Sequence, residues 1–570
     1  MIRWALLFKD SVSEAASSNR CRPRALATLR LAGLRAASLV NAMRNESHAR
    51  LLWILLIGTL IYWAICAVVS PVTTWDSQVY NLGRLVIADI GGFRSNRCWF
   101  SERQVIFPWV FDAVHYPFVK AGLCESIPSF LTLIGLLIIV YKLTREWYSE
   151  SFALWSCLSL ISMPTLIYQA TSTKNDFVMV FLVACWFYAL HRYQRERSVW
   201  LLVASGLSLG FLGGSKTSGL FFCAILFFLT LFVLRRQINA FKWFVASFAV
   251  SIILFGSVET YALSDLRYGN PFGPPAFVRM HSNRDGLRGA VANFARYYIG
   301  SFSCGIYTGF LQRSFCVDLE NSARLVLSAT GLANAGYRSD FNDGNLKFEK
   351  TGGDDGSDYG IFGWVAFTTS LVIPFFAPKK SRSRSFAIAG LASLGLICVT
   401  VGWMPWNARF LLLPFALFAI ATMIFAFHEI GAKSFRRFLQ ILILFQIAVT
   451  PIISWARRPT DLLRSILNRE ELVFSERPTL LPVYHALESL AALRPRIYLM
   501  AGPESWVLEF LKMRNIDWKL ACTWPEFATV ADEYAGPVYL LVLDCKAPAG
   551  LDPGENTHFD SGNSLWTIRR

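Results

Sequence analysis

The chain carries a twenty-residue apolar run, Leu51 to Ser70, and about ten more of similar character follow it. Such runs are long enough to cross the roughly 30 Å hydrocarbon core as helices, which satisfy every backbone polar group internally. They run approximately 51–70, 126–141, 152–168, 177–190, 199–213, 218–234, 243–262, 360–377, 385–402, 410–427 and 438–455. Composition agrees: 54% of the residues are hydrophobic and 16% charged, against about a quarter charged in soluble domains. A mainly α, polytopic transmembrane bundle of about eleven spans is the fold class expected.

The formal net charge of +16 does not read as nucleic-acid binding, because the basic residues are dispersed between apolar runs. Topology accounts for them. The loops "KLTRE", "RYQRER", "RRQINAFK", "KKSRSR" and "KSFRR" hold fifteen Lys/Arg, whereas the opposite short loops hold only Lys174, Lys216 and Arg409. The positive-inside rule makes the first set cytoplasmic. The N-terminus is then inside, in a bacterial-type inner membrane. Residues 1–50, with nine Lys/Arg and three Asp/Glu, read as a basic cytoplasmic tail rather than a cleaved signal. Residues 51–455 form the membrane module, and 456–570 an outer domain.

Outside lie loops 71–125 and 264–358, several short turns and the tail. In the first loop Val79, Leu82, Leu85 and Val86 recur at helical spacing among Asn81, Arg84 and Asp89, predicting an amphipathic helix in the interface. The aromatic stretch "ERQVIFPWVFDAVHYPF" predicts a second. The second loop ends in the acidic "GGDDGSDYG", expected to be mobile. In the tail, "RIYLMAG", "PVYLLVLDC" and "SLWTIRR" read as strands with a helix near 503–513, hence a small α/β domain. Of twelve cysteines, Cys98, Cys124, Cys304, Cys316, Cys522 and Cys545 fall outside, two per region, so an oxidising compartment permits three disulfides. No Cys/His spacing is that of a zinc site, and no cofactor is firmly implied; a divalent metal has no motif behind it.

The outer charges are few, and each has two readings. Asp76 either caps the helix that follows or serves as a general base at the membrane surface, where desolvation raises a carboxylate toward working pH. Asp176 opens a span and either caps it or shares the site. Lys216, in "GGSKTSG", either snorkels to headgroups or holds a phosphate as a point charge; the segment is not a P-loop, which needs GxxxxGK[ST] after a strand. Arg409, in "GWMPWNARF", reads the same way. Glu259 lies near the outer end of its predicted span and is a candidate for that reason.

Taken in order, "WDSQVYNLGR", "ERQVIFPWVFDAVHYPF", "TSTKND", "SKTSG", "YGNPFGP" and "PWNARF" resemble the successive motifs of GT-C membrane glycosyltransferases, in the protein-mannosyltransferase-like and aminoarabinose-transferase-like branch. The resemblance spans roughly 51–455. It implies sugar transfer from a polyprenyl-phosphate donor on the extracytoplasmic face, with Asp76 as catalytic base, Asp176 in support, and Lys216 and Arg409 on the lipid phosphate. Tyr80, Arg84, Arg103, Gln104, His115 and Glu259 are candidates for substrate binding. The sequence departs from the pattern at Ser77, which follows Asp76 where an acid pair is common and so argues against a metal, and at Asn81, where relatives often have His. A direct displacement at the anomeric carbon inverts it. The acceptor is a lipid, glycan or protein. A transporter or flippase is the alternative, but it would place its charges near mid-membrane, often between repeated halves.

Overall fold

The computed structural model describes residues 47–91, 100–121, 123–302, 313–340, 359–404, 406–454, 457–503, 505–521, 538–545, 556–559 and 562–567. Residues 1–46, the acidic segment 352–358, and Cys98, Cys304 and Cys522 lie outside this set.

Among the described residues, eight helices are long and apolar enough to cross a membrane, and one bent pair and two shorter apolar helices join them. Each falls on one of the eleven predicted runs. Arg409–Glu429 is the innermost, with 83% of its apolar window buried, against 17% for Ile238–Phe255 at the rim. The apolar residues left exposed at the rim, such as Phe228, Ile253 and Phe375, are those a bilayer would cover.

The largest boundary shift concerns the run predicted to reach 262. That helix ends at Phe255, and Ser257 takes φ +53°, a left-handed stop after Gly256. A new helix, Val258–Tyr268, follows, so Glu259 lies beyond the span, exposed in a first turn.

Two local devices aim the turns that matter. Glu150–Ile161 and Pro164–Ala170 meet at 79°, because Pro164 has no N–H to donate and pushes Met163 to extended backbone. Gln446, from the last span, covers the break. Its Nε2 donates to the Ser162 carbonyl at 2.8 Å and to that of Tyr359 at 2.9 Å, and its Oε1 accepts from the Phe362 amide at 2.9 Å. The bent segment delivers the chain into the turn holding Lys174. The second device is a glycine stripe on Val199–Ser215, packed on Ile238–Phe255. A Cβ at Gly210 would stand 2.4 Å from Ser251 Cβ, and one at Gly214 only 1.7 Å from the Phe255 carbonyl oxygen. Close backbone approach of this kind drives helix association in lipid. It also holds Lys216, the residue after this helix, against the bundle.

The tail contains a five-stranded sheet of β1 (Arg496–Ala501), β2 (Asp517–Leu520), β3 (Val538–Leu543), β4 (Asn556–His558) and β5 (Ser564–Thr567), in the order β2-β1-β3-β5-β4. β1 is parallel to β2 and β3, and β5 is antiparallel to β3 and β4. Three of these strands are the predicted ones. β2 and β4 are short and polar, too weakly patterned to read, and the predicted 503–513 helix contracts to Leu508–Leu511.

The loop 71–125 forms its expected helices: a π-turn Ser77–Asn81, then Gly83–Gly91, Arg103–Ile106 and Val110–Ala121. On its polar side Asn81 and Arg84 are buried, while Asp89 is half-buried and pairs with Lys120. Val79, Leu82 and Leu85 share one core with Trp506, Val507, Leu508 and Phe510 of the tail. Lys512 binds Glu125 at 2.5 Å and Glu509 at 3.0 Å, tying the tail to the end of this loop. Residues 77–91 are therefore clasped between the tail domain and the rest of the loop.

Candidate functional site

Four segments far apart in sequence bring five charged side chains together. Asp76 stands at the start of the π-turn, Lys174 in the turn after the bent pair, and Asp176 at the head of its span. Lys216 lies between two spans, and Arg409 in a 3₁₀ turn, Asn407–Leu411, leading into the central span. Arg409 Nη1 donates to Asp76 Oδ2, and Lys174 Nζ lies 3.6 Å from the same oxygen. Lys216 Nζ donates to Asp176 Oδ1, and Arg409 Nε lies 3.9 Å from Asp176 Oδ2. Lys216 and Arg409 both stand over the Phe410 ring, at 4.1 and 5.3 Å. Asp76, Lys174, Asp176 and Arg409 are buried. Isolated buried charges cost several kcal/mol each, so the acids and bases hold one another in place. Among the described residues, three cations thus gather round these two carboxylates.

Neither aspartate caps its helix. Asp76 has helical backbone, φ −56° and ψ −40°, and makes no side-chain cap bond. Asp176 lies one residue inside its helix, after Asn175, whose Nδ2 donates to the Ser215 carbonyl at 2.8 Å. Nor does desolvation raise Asp76 toward neutrality. Burial pushes its carboxyl up, but Arg409, Lys174, the Tyr80 hydroxyl and Lys216 outweigh that and hold it below the usual carboxylate range. The expectation from sequence considered desolvation without the cations, which only folding brings near. For Lys216, burial lowers the ammonium to about 8, with Asp176 opposing; it is still protonated at neutral pH.

Lys174 is the residue that reading the sequence missed. It counted as one more outer charge, yet it is 1% exposed and directed at Asp76. Its proximity to Asp176 in "TKND" was the available signal. Tyr359, fully buried and stacked on Phe415 with centroids 3.6 Å apart, also feels the Asp176 charge.

The other candidates divide. Tyr80 lies beside Asp76, where its hydroxyl helps hold the carboxyl low, and packs edge-on against Phe107, centroids 5.2 Å apart. Arg103 lies 4.9 Å over the Trp75 ring beside them. Arg84, Gln104 and His115 serve the loop itself. Arg84 pairs with Asp112 and donates to the Phe107 and Pro108 carbonyls at 2.6 and 2.7 Å. Gln104 donates to the Val79 carbonyl at 2.7 Å and accepts from the Phe100 and Ser101 amides. His115 donates from Nδ1 to the Glu125 carbonyl at 2.5 Å, and burial lowers its pKa to about 4.

His115 has a consequence for stability. The unfolded chain protonates it near 6.5 and the folded protein only near 4, so the stability present above pH 6.5 is lost as pH falls through this window. The loss amounts to about 3 kcal/mol. Melting of the purified protein between pH 7 and pH 4.5 is expected to show this fall, and His115→Gln to flatten it. An unchanged slope in the variant would assign the acid sensitivity elsewhere.

Among the described residues the one trio of side chains close enough to share a metal ion is Glu470, His485 and Glu488, in the tail and separate from the cluster. Of the six cysteines expected outside, Cys124 and Cys545 are free thiols.

No curated protein matches the sequence. Among solved structures the chain is similar to ArnT from Cupriavidus metallidurans, in crystals bound to undecaprenyl phosphate (12% identity, 90% of this chain and 97% of that one, TM-score 0.46). It is also similar to the same protein in the apo state (11% identity, 92% and 98%, TM-score 0.43). Residues 104–259 match the family described as dolichyl-phosphate-mannose-protein mannosyltransferase. That stretch supplies Lys174, Asp176 and Lys216 to the cluster, and through it the chain is similar to the mannosyltransferase branch of the GT-C membrane glycosyltransferases that its motifs resemble.

Proposed function

We propose that this protein is a membrane glycosyltransferase that takes a sugar from a polyprenyl-phosphate donor and transfers it at the extracytoplasmic face. The observation that supports this most is the charge cluster, in which Arg409, Lys174 and Lys216 converge at the end of the bundle where several spans begin or end. A sugar phosphodiester on a lipid carries one negative charge and holds it at the depth of the headgroups. Arg409, Lys216 and Lys174 would take its oxygens. The acceptor hydroxyl or amine then attacks the anomeric carbon, the bond from that carbon to the phosphate oxygen breaks, and the acceptor proton passes to Asp76. Polyprenyl phosphate leaves with the bond electrons, and the anomeric centre inverts. Phosphate drawn onto Arg409 also takes positive charge away from Asp76, which raises its proton affinity when a base is needed. Asp176 holds Lys216 and Arg409 in register, and Tyr80 and Arg103 border the side by which an acceptor would approach.

The family match supports this reading, since its description joins a polyprenyl-type phosphate sugar with a protein acceptor. The test is incubation of the purified protein with radiolabelled polyprenyl-phosphate sugars and extracted envelope, following the label into products. Arg409→Ala and Lys216→Ala are each expected to weaken donor use by about 10- to 100-fold, the usual worth of a charge-assisted hydrogen bond. Lys216→Arg should retain part of it, because a point charge matters more there than fork geometry. Alanine variants that bind and turn over donor normally would make both residues snorkelling charges.

The proposed orientation has its own test. Cysteine labelling in intact cells is expected to place residues near 145, 195 and 382 inside and the tail beyond 456 outside. A cytoplasmic tail would put the cluster on the wrong side for an extracytoplasmic reaction.

A further inference from the structure

Arg409 has to meet two carboxylates and, on the reading above, a phosphate, so the turn that carries it must be held to a fraction of an ångström. We propose that Arg296, Tyr297 and Asn407 form a positioning clamp for Arg409, which ties the 401–409 turn to the second outer loop and sets the guanidinium on the anion site. The inference rests on the donor reading, and it assigns a role to residues that touch no reacting atom.

The helix Gly286–Gly300 turns one buried face inward, carrying Asn293, Arg296 and Tyr297 at spacings of three and four. Arg296 is 1% exposed. Its guanidinium donates to the carbonyls of Ala335 at 2.6 Å, Ala333 at 2.8 Å and Leu332 at 3.2 Å, and it lies 3.7 Å over the Tyr337 ring. Burying a guanidinium is a costly way to fill space. What it supplies is a rigid fork that holds three successive parts of one loop.

That loop in turn holds the approach to Arg409. The Trp403 amide donates to the Gly336 carbonyl at 2.7 Å, and the Arg338 amide donates to the Trp403 carbonyl at 3.0 Å. Gly336, at φ +79°, permits the contact, since a Cβ there would stand 2.5 Å from the Gly289 carbonyl oxygen. Asn293 Nδ2 donates to the Val401 carbonyl at 3.1 Å. Downstream, Asn407 is fully buried, and its Nδ2 donates to the Tyr297 hydroxyl at 3.1 Å and to the Gly402 carbonyl at 2.8 Å. Asn407 opens the 3₁₀ turn in which Arg409 stands two residues later. A hydroxyl on a helix of the second outer loop is thus one hydrogen bond and two residues from the guanidinium that binds Asp76.

The test is a double-mutant cycle read by binding of a polyprenyl phosphate to the full-length protein in lipid nanodiscs. Tyr297→Phe removes one oxygen and keeps the ring, and Asn407→Ser is the second variant should Phe disturb folding. Each is expected to weaken binding by about 3- to 10-fold, the range of one hydrogen bond, with the melting temperature near wild type. In an Arg409→Ala background the same changes should alter binding by less than twofold, because the residue they position is gone. A loss of equal size in both backgrounds would mean general damage and would overturn the clamp. So would no loss in the wild-type background while Arg409→Ala itself binds poorly. Normal binding by Arg409→Ala would instead overturn the donor reading, and the clamp with it.

Discussion

Asp76→Asn is expected to lower turnover of a lipid-linked sugar by about 100-fold or more, the usual worth of a general base. The change preserves size and most hydrogen bonding while removing the proton acceptor. A capping role would make it mild, since Asn caps as well as Asp, but Asp76 makes no cap bond. The cluster adds a second expectation of opposite sign. Losing this carboxylate removes one negative charge from beside Arg409 and Lys174, so affinity for a polyprenyl phosphate should hold or rise while turnover collapses. Without ligand, Arg409 and Lys174 are left beside a neutral amide, so thermal stability should fall and recover when the lipid phosphate is added. The measurement compares wild type, Asp76→Asn and Asp76→Ala in the same membranes for turnover, binding and melting. Near wild-type turnover of the Asn protein would sink the base assignment, whatever its melting temperature.

Phe510→Ala is expected to destabilise the tail domain by about 3–5 kcal/mol, the cost of emptying a fully buried aromatic site. Phe510 is fully buried, with its ring centroid 5.7 Å from that of Phe474 and 6.3 Å from that of Tyr484. The same core includes Val79, Leu82 and Leu85, on the segment directly after Asp76. The damage should therefore reach the site: activity should be lost at a lower temperature than in wild type, in step with exposure of the tail to limited proteolysis. A variant whose tail is cut readily while activity persists would show that the tail is not needed to hold residues 77–91. Phe375→Ala, on the exposed rim, is the control, with little change expected in either readout.

The residues themselves carried much of this architecture. All eleven apolar runs became helices because a span is a local property: about twenty apolar residues need no partner to declare themselves. Shorter signals did less well. β2 and β4 have three or four residues and polar sequences, and only their pairing with β1 and β5 makes them strands. The π-turn at Ser77–Asn81 and the left-handed stop at Ser257 are backbone events with no clear side-chain signature. Arg84 and His115 carried the chemistry of site residues, but nothing in one sequence tells a charge used in packing from one used on a substrate.

By itself the sequence determined that the chain is a helical membrane protein. It also determined that Asp76, Asp176, Lys216 and Arg409 share one face, because each lies at the end of an apolar run and the run count settles the side. Only the tertiary structure decided what those charges are to one another. Asp76 and Arg409 are 333 residues apart and meet as an ion pair; Lys174 joins them because Pro164 bends its segment inward; and the tail covers the loop that carries Asp76. Electrostatics inside a protein depends on distance and burial, and neither exists until the chain has folded.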